Sequence, residues 1–283
     1  MTTDRLLSSL IAASFGCVLA FPVGAQDLAT KGREVFNKHQ SSVVTVLLVV
    51  KTKMAVPGLA GLGGDARESK EEVTGTVIDE SGLTAVALSS TDPTGMLQGM
   101  MGSLGDLGGD GEESFKFKMD SEVTDVKLLT GDGTELPAEI VLRDKDLDLA
   151  FVRPKSKPAT PMPALDLANS AKVDVLDEII AINRLGKATG RAYAAAIERI
   201  SAVVKRPRLF YVPGGGATMT GLGSPAFTPD GKLVGLFVMR TVKSGGGGMS
   251  LFSMPAGMTP MILPAEDVKK IAAQVPAMKE EAK

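Results

Sequence analysis

Cysteine and histidine are the scarcest reactive residues of this 283-residue chain, since each occurs once. Cys17 lies inside an apolar N-terminal segment, so a chain cleaved beyond that segment has no disulfide, no thiol nucleophile and no sulfur ligand for a metal. The single histidine, His39, limits general-base catalysis and histidine-ligated metal sites in the same way. We therefore expect neither a metal nor a cofactor.

Aromatic residues and net charge are also low. Aromatic residues make up 4% of the chain and tryptophan is absent, so the apolar content of 44% is aliphatic. The 32 glycines and 16 prolines favour short strands and many turns over long helices. A formal net charge of −2 predicts no broad attraction to nucleic acid or to anionic lipid. The length is sufficient for two packed units of about 110 residues each.

The first 25 residues have the pattern of an export signal. Arg5 is followed by the apolar run "LLSSLIAASFGCVLAF" and by the small residues Val23-Gly24-Ala25, which predicts cleavage after Ala25. The alternative is a retained membrane anchor, although the run is shorter than the ~20 residues of a spanning helix. Lipidation of Cys17 is disfavoured because apolar residues continue beyond it. We expect a periplasmic or extracellular protein that meets a membrane only if this segment is retained.

Short β-branched and aliphatic runs between turns dominate the remaining chain. A helical pattern up to His39 passes into the strand pattern Val43–Val50, and two further strands flank a turn at Asp79–Gly82. Turns follow every eight to twelve residues, which indicates an all-β barrel or sandwich. The Pro-rich stretch "PKSKPATPMP" predicts a crossing between two units, residues 26–155 and 156–283. An amphipathic helix is predicted after Pro264, with acidic residues in its first turn.

A glycine-rich insertion at about residues 92–118 interrupts the first unit and has neither helical nor strand periodicity. We expect a flexible surface loop without a specific role, or alternatively an adaptable apolar contact surface that includes Met96, Met100 and Met101. Its acidic residues lack the order of a calcium-binding loop; they are Asp106, Asp110, Glu112 and Glu113.

Five segments together resemble the trypsin-like serine proteases of the bacterial HtrA type. In chain order they are "GTVIDESGLTAVALSS", "VKLLTGDGTELPAEIVLRDKDLDLAFVR", "VDVLDEIIAINRLGKATGRAYAAAIERISAV", "PAFTPDGKLVGL" and "ILPAEDVKKI". Each segment is weak alone, but their order and spacing are specific. The resemblance covers the chain from Ser42 to about Val275, and we expect no PDZ-like domain after it. It implies two antiparallel β-barrels with a site in the cleft between them.

The same resemblance implies a degenerate catalytic triad. Asp148, in Asp148-Leu149-Ala150, matches the family's aspartate. Ser89 falls at the histidine position, and Leu222 falls at the nucleophile position, followed by Gly223-Ser224. A serine has no titratable base near neutral pH, and the base and the nucleophile act as a unit. We therefore expect a pseudoprotease that binds a polypeptide partner.

Two other functions stay open at the level of sequence. One is an active serine endopeptidase in which Ser224 is the nucleophile and a lysine is the base, with Lys187, Lys205 and Lys243 as candidates. The other is a structural envelope protein that self-associates.

Overall fold

The computed structural model describes residues 23–55, 66–92, 118–214, 221–241 and 258–277. These residues form twelve strands, two α-helices and three single 3₁₀ turns. The helices are α1 (Val23–His39) and α2 (Ala265–Ala272), and the 3₁₀ turns are Gln40–Ser42, Leu88–Thr91 and Lys187–Thr189. The strands are β1 (Val43–Ala55), β2 (Arg67–Val77), β3 (Thr84–Ala87), β4 (Lys118–Leu129), β5 (Glu135–Asp144), β6 (Leu149–Pro154), β7 (Glu178–Arg184), β8 (Tyr193–Val204), β9 (Phe210–Pro213), β10 (Pro225–Phe227), β11 (Leu233–Thr241) and β12 (Met258–Pro264).

The strands close into two six-stranded antiparallel barrels. The first has the order β1-β2-β3-β6-β5-β4, and the second has the order β10-β11-β12-β9-β8-β7. The predicted fold class, two antiparallel β-barrels with a short N-terminal and a C-terminal helix, is therefore confirmed. The predicted turn is present between β2 and β3, where Gly82 N–H donates to Asp79 O at 2.9 Å.

Every strand contributes an aliphatic or aromatic side chain to the interior of its barrel, because alternate residues of a strand point to the same face. In the first barrel these residues are Val46, Leu48, Val50, Val73, Val86, Val126, Leu128, Ala138, Ala150 and Val152. In the second barrel they include Ile179, Ile200, Tyr211, Ala226, Phe237 and Ile262. Each barrel therefore has its own core.

A third cluster joins the two barrels and the helices. Leu149 and Phe151 of β6 share it with Ile180 and Phe227 of the second barrel, and all four are fully buried. Helix α1 adds Val35, and helix α2 adds Val268 and Ile271. The C-terminal helix was predicted from this apolar spacing, with Glu266 and Asp267 in its first turn. The relative position of the barrels, and hence the cleft, is fixed by apolar packing.

Strands β1, β2 and β4 are longer than the barrel requires. β2 pairs with β1 from Thr76 to Arg67, but β3 pairs only with Gly75–Val77. β4 pairs with β1 over its full length, whereas β5 pairs only with residues 126–129. The remaining parts form a three-stranded sheet that projects from the first barrel. We call it the extension: residues 67–74 of β2, 118–125 of β4 and the part of β1 between them.

Several predictions fall on segments outside the described residues. They concern the apolar run of the export signal and the insertion at residues 93–117, which contains the methionines and acidic residues named above. The predicted boundary between residues 155 and 156 stays a prediction and falls in the connection between β6 and β7. None of the helices in the described part of the chain is both long and apolar enough to cross a membrane.

Candidate functional site

Asp148 lies in the cleft between the barrels, in the turn that precedes β6. Its backbone has a φ of +53°, in the left-handed region that few residues other than glycine and asparagine adopt. The residue is 9% exposed. Its carbonyl oxygen accepts the N–H of Leu88 at 3.0 Å, which connects this turn to the end of β3. The carboxylate is thereby directed into the cleft.

Three donors from both barrels meet the Asp148 carboxylate. Oδ1 accepts the backbone N–H of Ser89 at 2.6 Å, and Oδ2 accepts the Ser89 hydroxyl at 2.9 Å. Oδ2 also accepts the backbone N–H of Met239 in β11 at 2.6 Å. Burial raises the pKa of Asp148, while the hydrogen bonds from Met239 and Ser89 act in the opposite direction. Asp148 and Ser89 are therefore in direct contact, and Asp148 ties the first barrel to the second.

Leu222 occupies an apolar position beside this carboxylate. It is 6% exposed and packs with Ala87, two residues before Ser89, and with Met239, which donates to Asp148. The structure thus places Asp148, Ser89 and Leu222 in one neighbourhood of the cleft. No atom of the Leu222 side chain can act as a nucleophile or as a hydrogen-bond donor.

Gly223 fixes the backbone of the loop that carries Leu222. Its N–H donates to Phe237 O at 2.7 Å, and its carbonyl accepts the Thr76 hydroxyl at 2.7 Å. Its φ is +85°, and an added Cβ would overlap the carbonyl oxygen of Thr74. Glycine is therefore required here both for the backbone angle and for the close approach of β2.

Ser224 belongs to a different hydrogen-bond network from that of Asp148. It is 1% exposed, and its hydroxyl donates to Asn183 Oδ1 at 3.1 Å. The same oxygen accepts the Thr74 hydroxyl at 2.8 Å and the backbone N–H of Arg184 at 2.7 Å. Asn183 therefore gathers donors from β2, β7 and the Leu222 loop. The hydroxyl of Ser224 belongs to this buried network rather than to the surface of the cleft.

A pocket of about 300 Å³ opens on one side of Leu222. Its walls come from β2, from the end of β7 and from the β7–β8 connection. The lining includes Glu72, Thr74, Asn183, Arg184, Ala188 and Leu222. Apolar and polar groups both face the space, as in sites that take the side chain of a ligand.

Two arginines of the second barrel form hydrogen bonds to the first barrel around this pocket. Arg191 in the β7–β8 connection donates to both carboxylate oxygens of Glu72 in β2, at 3.1 and 2.6 Å. Arg184 is 8% exposed; its guanidinium donates to Leu129 O at 2.7 Å and lies 5.3 Å from the ring centroid of Tyr193. Both arginines are thus engaged by the protein itself.

Among the described residues, the remaining sequence candidates do not line this pocket. The His39 ring stacks on Phe227 at 4.5 Å, and burial, with a smaller effect of Lys38, lowers the pKa of His39. Lys187 and Lys205 are exposed, and Lys243 is outside the described residues. Among the residues that the structure describes, no cluster of three His, Cys, Asp or Glu side chains has a geometry suited to a metal ion.

The family model of the trypsin-like peptidase domain matches residues 73–236, which is more than half of the chain and contains Ser89, Asp148 and Leu222. The chain belongs to the trypsin-like peptidase domain family. No curated protein matches it. The paired barrels and the position of the cleft agree with this trypsin-like assignment.

Sequence reasoning missed two parts of the trypsin-like cleft. Met239 acts through its backbone N–H, and a main-chain donor leaves no signal in residue type. Asn183 was detectable in principle, because it is a polar residue within the aliphatic run "EIIAINR" of a buried strand. Two of its three donors, the hydroxyls of Thr74 and Ser224, come from segments that are distant in sequence, and these could not be foreseen.

Proposed function

We propose that this trypsin-like protein is an exported pseudoprotease of the HtrA type that binds an extended polypeptide in the cleft beside Leu222. The observation that carries the proposal is the apolar, buried Leu222 side chain next to a retained Asp148. The HtrA assignment rests on the five segments described above, in their order and spacing.

Inactivity follows from the chemistry of the residues around Asp148. Acyl transfer in this architecture needs a nucleophile and a base that takes its proton. Leu222 offers no nucleophile, and Ser89 offers no base because a neutral hydroxyl does not take up a proton near neutral pH. The burial of Ser224 and its hydrogen bond to Asn183 weigh against the alternative endopeptidase.

Polypeptide binding is supported by the pocket beside Leu222. The cavity of about 300 Å³ has room for a side chain, and Leu222 supplies an apolar wall. β2 borders the same pocket through Glu72, Val73 and Thr74. An extended peptide that inserts one side chain here would run beside the backbone of β2, as in recognition by strand addition.

A peptide library tests the binding. The chain beginning at Gln26 should bind a subset of extended peptides saturably. Ala188→Trp, whose larger side chain fills the pocket, should lower the affinity for the selected peptide at least about tenfold. Ala195→Trp, on an exposed part of β8, is the matched control and should bind as the unmodified protein does. Absence of saturable binding, or equal affinity of the two variants, would overturn peptide binding in this pocket.

A fluorophosphonate probe tests inactivity separately. No serine of the folded protein should be labelled, and Ser224→Ala should change nothing. Labelling that Ser224→Ala abolishes would establish the endopeptidase instead.

Export is part of the proposal and has its own measurement. Cleavage after Ala25 would remove the first three residues of α1 and keep the ion pair of Asp27 with Lys31 and the core contact of Val35. The intact mass of the protein recovered from an exporting host should correspond to a chain beginning at Gln26. A full-length mass in the membrane fraction would indicate a retained anchor.

A further inference from the structure

The outer edge of β2 in the extension is an open strand edge among the described residues. From Arg67 to Glu72 the strand pairs with β1 on one side, and no described strand pairs with it on the other. Backbone donors and acceptors along such an edge form a template for a further strand. The edge begins at the pocket beside Leu222 and runs away from the barrel.

The charges along this edge are self-complementary. The sequence from residue 67 to 71 is Arg-Glu-Ser-Lys-Glu, and Ser69 lies at its centre. Consider a second copy whose β2 edge pairs antiparallel with this one, so that the Ser69 residues of the two copies stand opposite each other. Arg67 then stands opposite the partner's Glu71, and Glu68 stands opposite the partner's Lys70. The two-fold axis repeats both pairs, so four opposite-charge pairs form and no like charges meet.

The four charged residues are available for such pairs. Arg67, Glu68 and Lys70 are exposed, and Glu71 is partly exposed. None of them takes part in an ion pair within the described part of the chain. Glu72, the next residue, is already bound by Arg191 and marks the end of the available segment.

We propose that this chain dimerises through antiparallel pairing of the β2 edges around Ser69, which joins two extensions into one six-stranded sheet. A two-fold interface must be complementary to itself, and the charge order about Ser69 meets this condition. Pairing of the outer β4 edges about Ser121 does not meet it, because it would place Asp120 opposite the partner's Glu122, two like charges. This dimer does not rest on the proposed function of the cleft.

Charge reversal and charge exchange test the pairing. In sedimentation velocity over a dilution series, Arg67→Glu should weaken dimerisation about tenfold or more, because symmetry turns two attractive pairs into two repulsive ones. The double variant Arg67→Glu/Glu71→Arg should restore it. Lys155→Glu, an equal charge change at an exposed residue after β6, is the control and should dimerise normally.

Cross-linking tests the residue partners. Opposed residues of an antiparallel pair have Cα atoms about 4.5 to 5.5 Å apart, which is within the range of a disulfide. In a Cys17→Ser background, Ser69→Cys should form a disulfide-linked dimer under mild oxidation. Thr52→Cys, opposite Arg67 on the inner strand β1, should not. A monomer at all concentrations, a dimer unaffected by Arg67→Glu, or equal cross-linking at both positions would overturn the proposal.

Discussion

Replacing Ser89 by histidine and Leu222 by serine in one chain is expected to create a hydrolase, whereas neither replacement alone should do so. Asp148 already accepts the N–H and the hydroxyl of residue 89 at 2.6 and 2.9 Å, so side chain 89 is directed at the carboxylate. An imidazole at residue 89 would donate one ring N–H to Asp148 and keep the other nitrogen as a base. A hydroxyl at residue 222 would lie in the neighbourhood that Leu222 shares with Ala87 and Met239.

The stability cost of this change can be estimated from the burial of Leu222. The side chain is 6% exposed, and truncation of such a leucine costs about 2 to 4 kcal/mol. The adjoining pocket admits water to the new hydroxyl, which favours the lower half of that range. A domain with a stability of about 5–15 kcal/mol tolerates the loss. The double variant should therefore fold, and chemical denaturation would measure its deficit.

The gain in rate follows from the cooperation of base and nucleophile. Because each is ineffective without the other, the single variants should stay at background, and the double variant should exceed them at least about a hundredfold. Hydrolysis of an activated ester and labelling by a fluorophosphonate would measure this gain. If the folded double variant hydrolysed no faster than Leu222→Ser alone and took up no label, the assignment of residues 89 and 222 to the positions of the base and the nucleophile would be refuted.

Two further predictions concern the groups that hold the cleft together. Because burial raises the pKa of Asp148 above its ordinary value of 3.8, the stability contributed by its protonated form is complete below that pH and is lost as the pH rises through the folded-state pKa. Urea denaturation at a series of pH values would measure the free energy of unfolding of the unmodified protein and of Asp148→Asn. The difference, unmodified protein minus variant, should decline as the pH rises from 3.8 through the folded-state pKa of Asp148. A rise of this difference would contradict the raised pKa. Gly223→Ala should destabilise the protein by at least about 2 kcal/mol more than Gly133→Ala, because both glycines have positive φ but only at Gly223 would a Cβ overlap another backbone atom. Gly133→Ala itself should lower the free energy of unfolding by about 1–2 kcal/mol. If thermal unfolding showed the same loss of stability for both variants, the strain at residue 223 would come from its backbone angle alone.

The fold was largely predictable because its signals are local. Runs such as "VVTVLLVV" and "EIIAINR" form strands since β-branched and aliphatic residues fill both sides of a buried sheet. The closing helix was identified from its apolar spacing after Pro264. The lengths of β1, β2 and β4 beyond the barrel were not predicted, because the alternation of charged residues in β2 reads equally well as a loop.

The candidate site was predictable only in part. The order of motifs gave Asp148, Ser89 and Leu222 as positions of a family pattern, and the structure brings the three into one neighbourhood. The orientation of Ser224 could not be predicted from that family pattern, because it depends on the positive φ of Gly223 and on Asn183 in another strand. The hydrogen bond from the Met239 N–H to Asp148 could not be predicted either, because the position of Met239 results from the closure of the second barrel.

The sequence by itself determined the residue chemistry of this protein: one histidine, one cysteine, a leucine where the family resemblance expects a nucleophile, and aliphatic runs that favour buried strands. The tertiary structure decided which of these residues meet. Asp148, Ser89 and Met239 are separated by 59 and 91 positions in the chain, yet three hydrogen bonds join them across the cleft. The physical reason is that apolar packing between the barrels, not any local preference, sets their distance, so the buried carboxylate of Asp148 receives donors from both barrels.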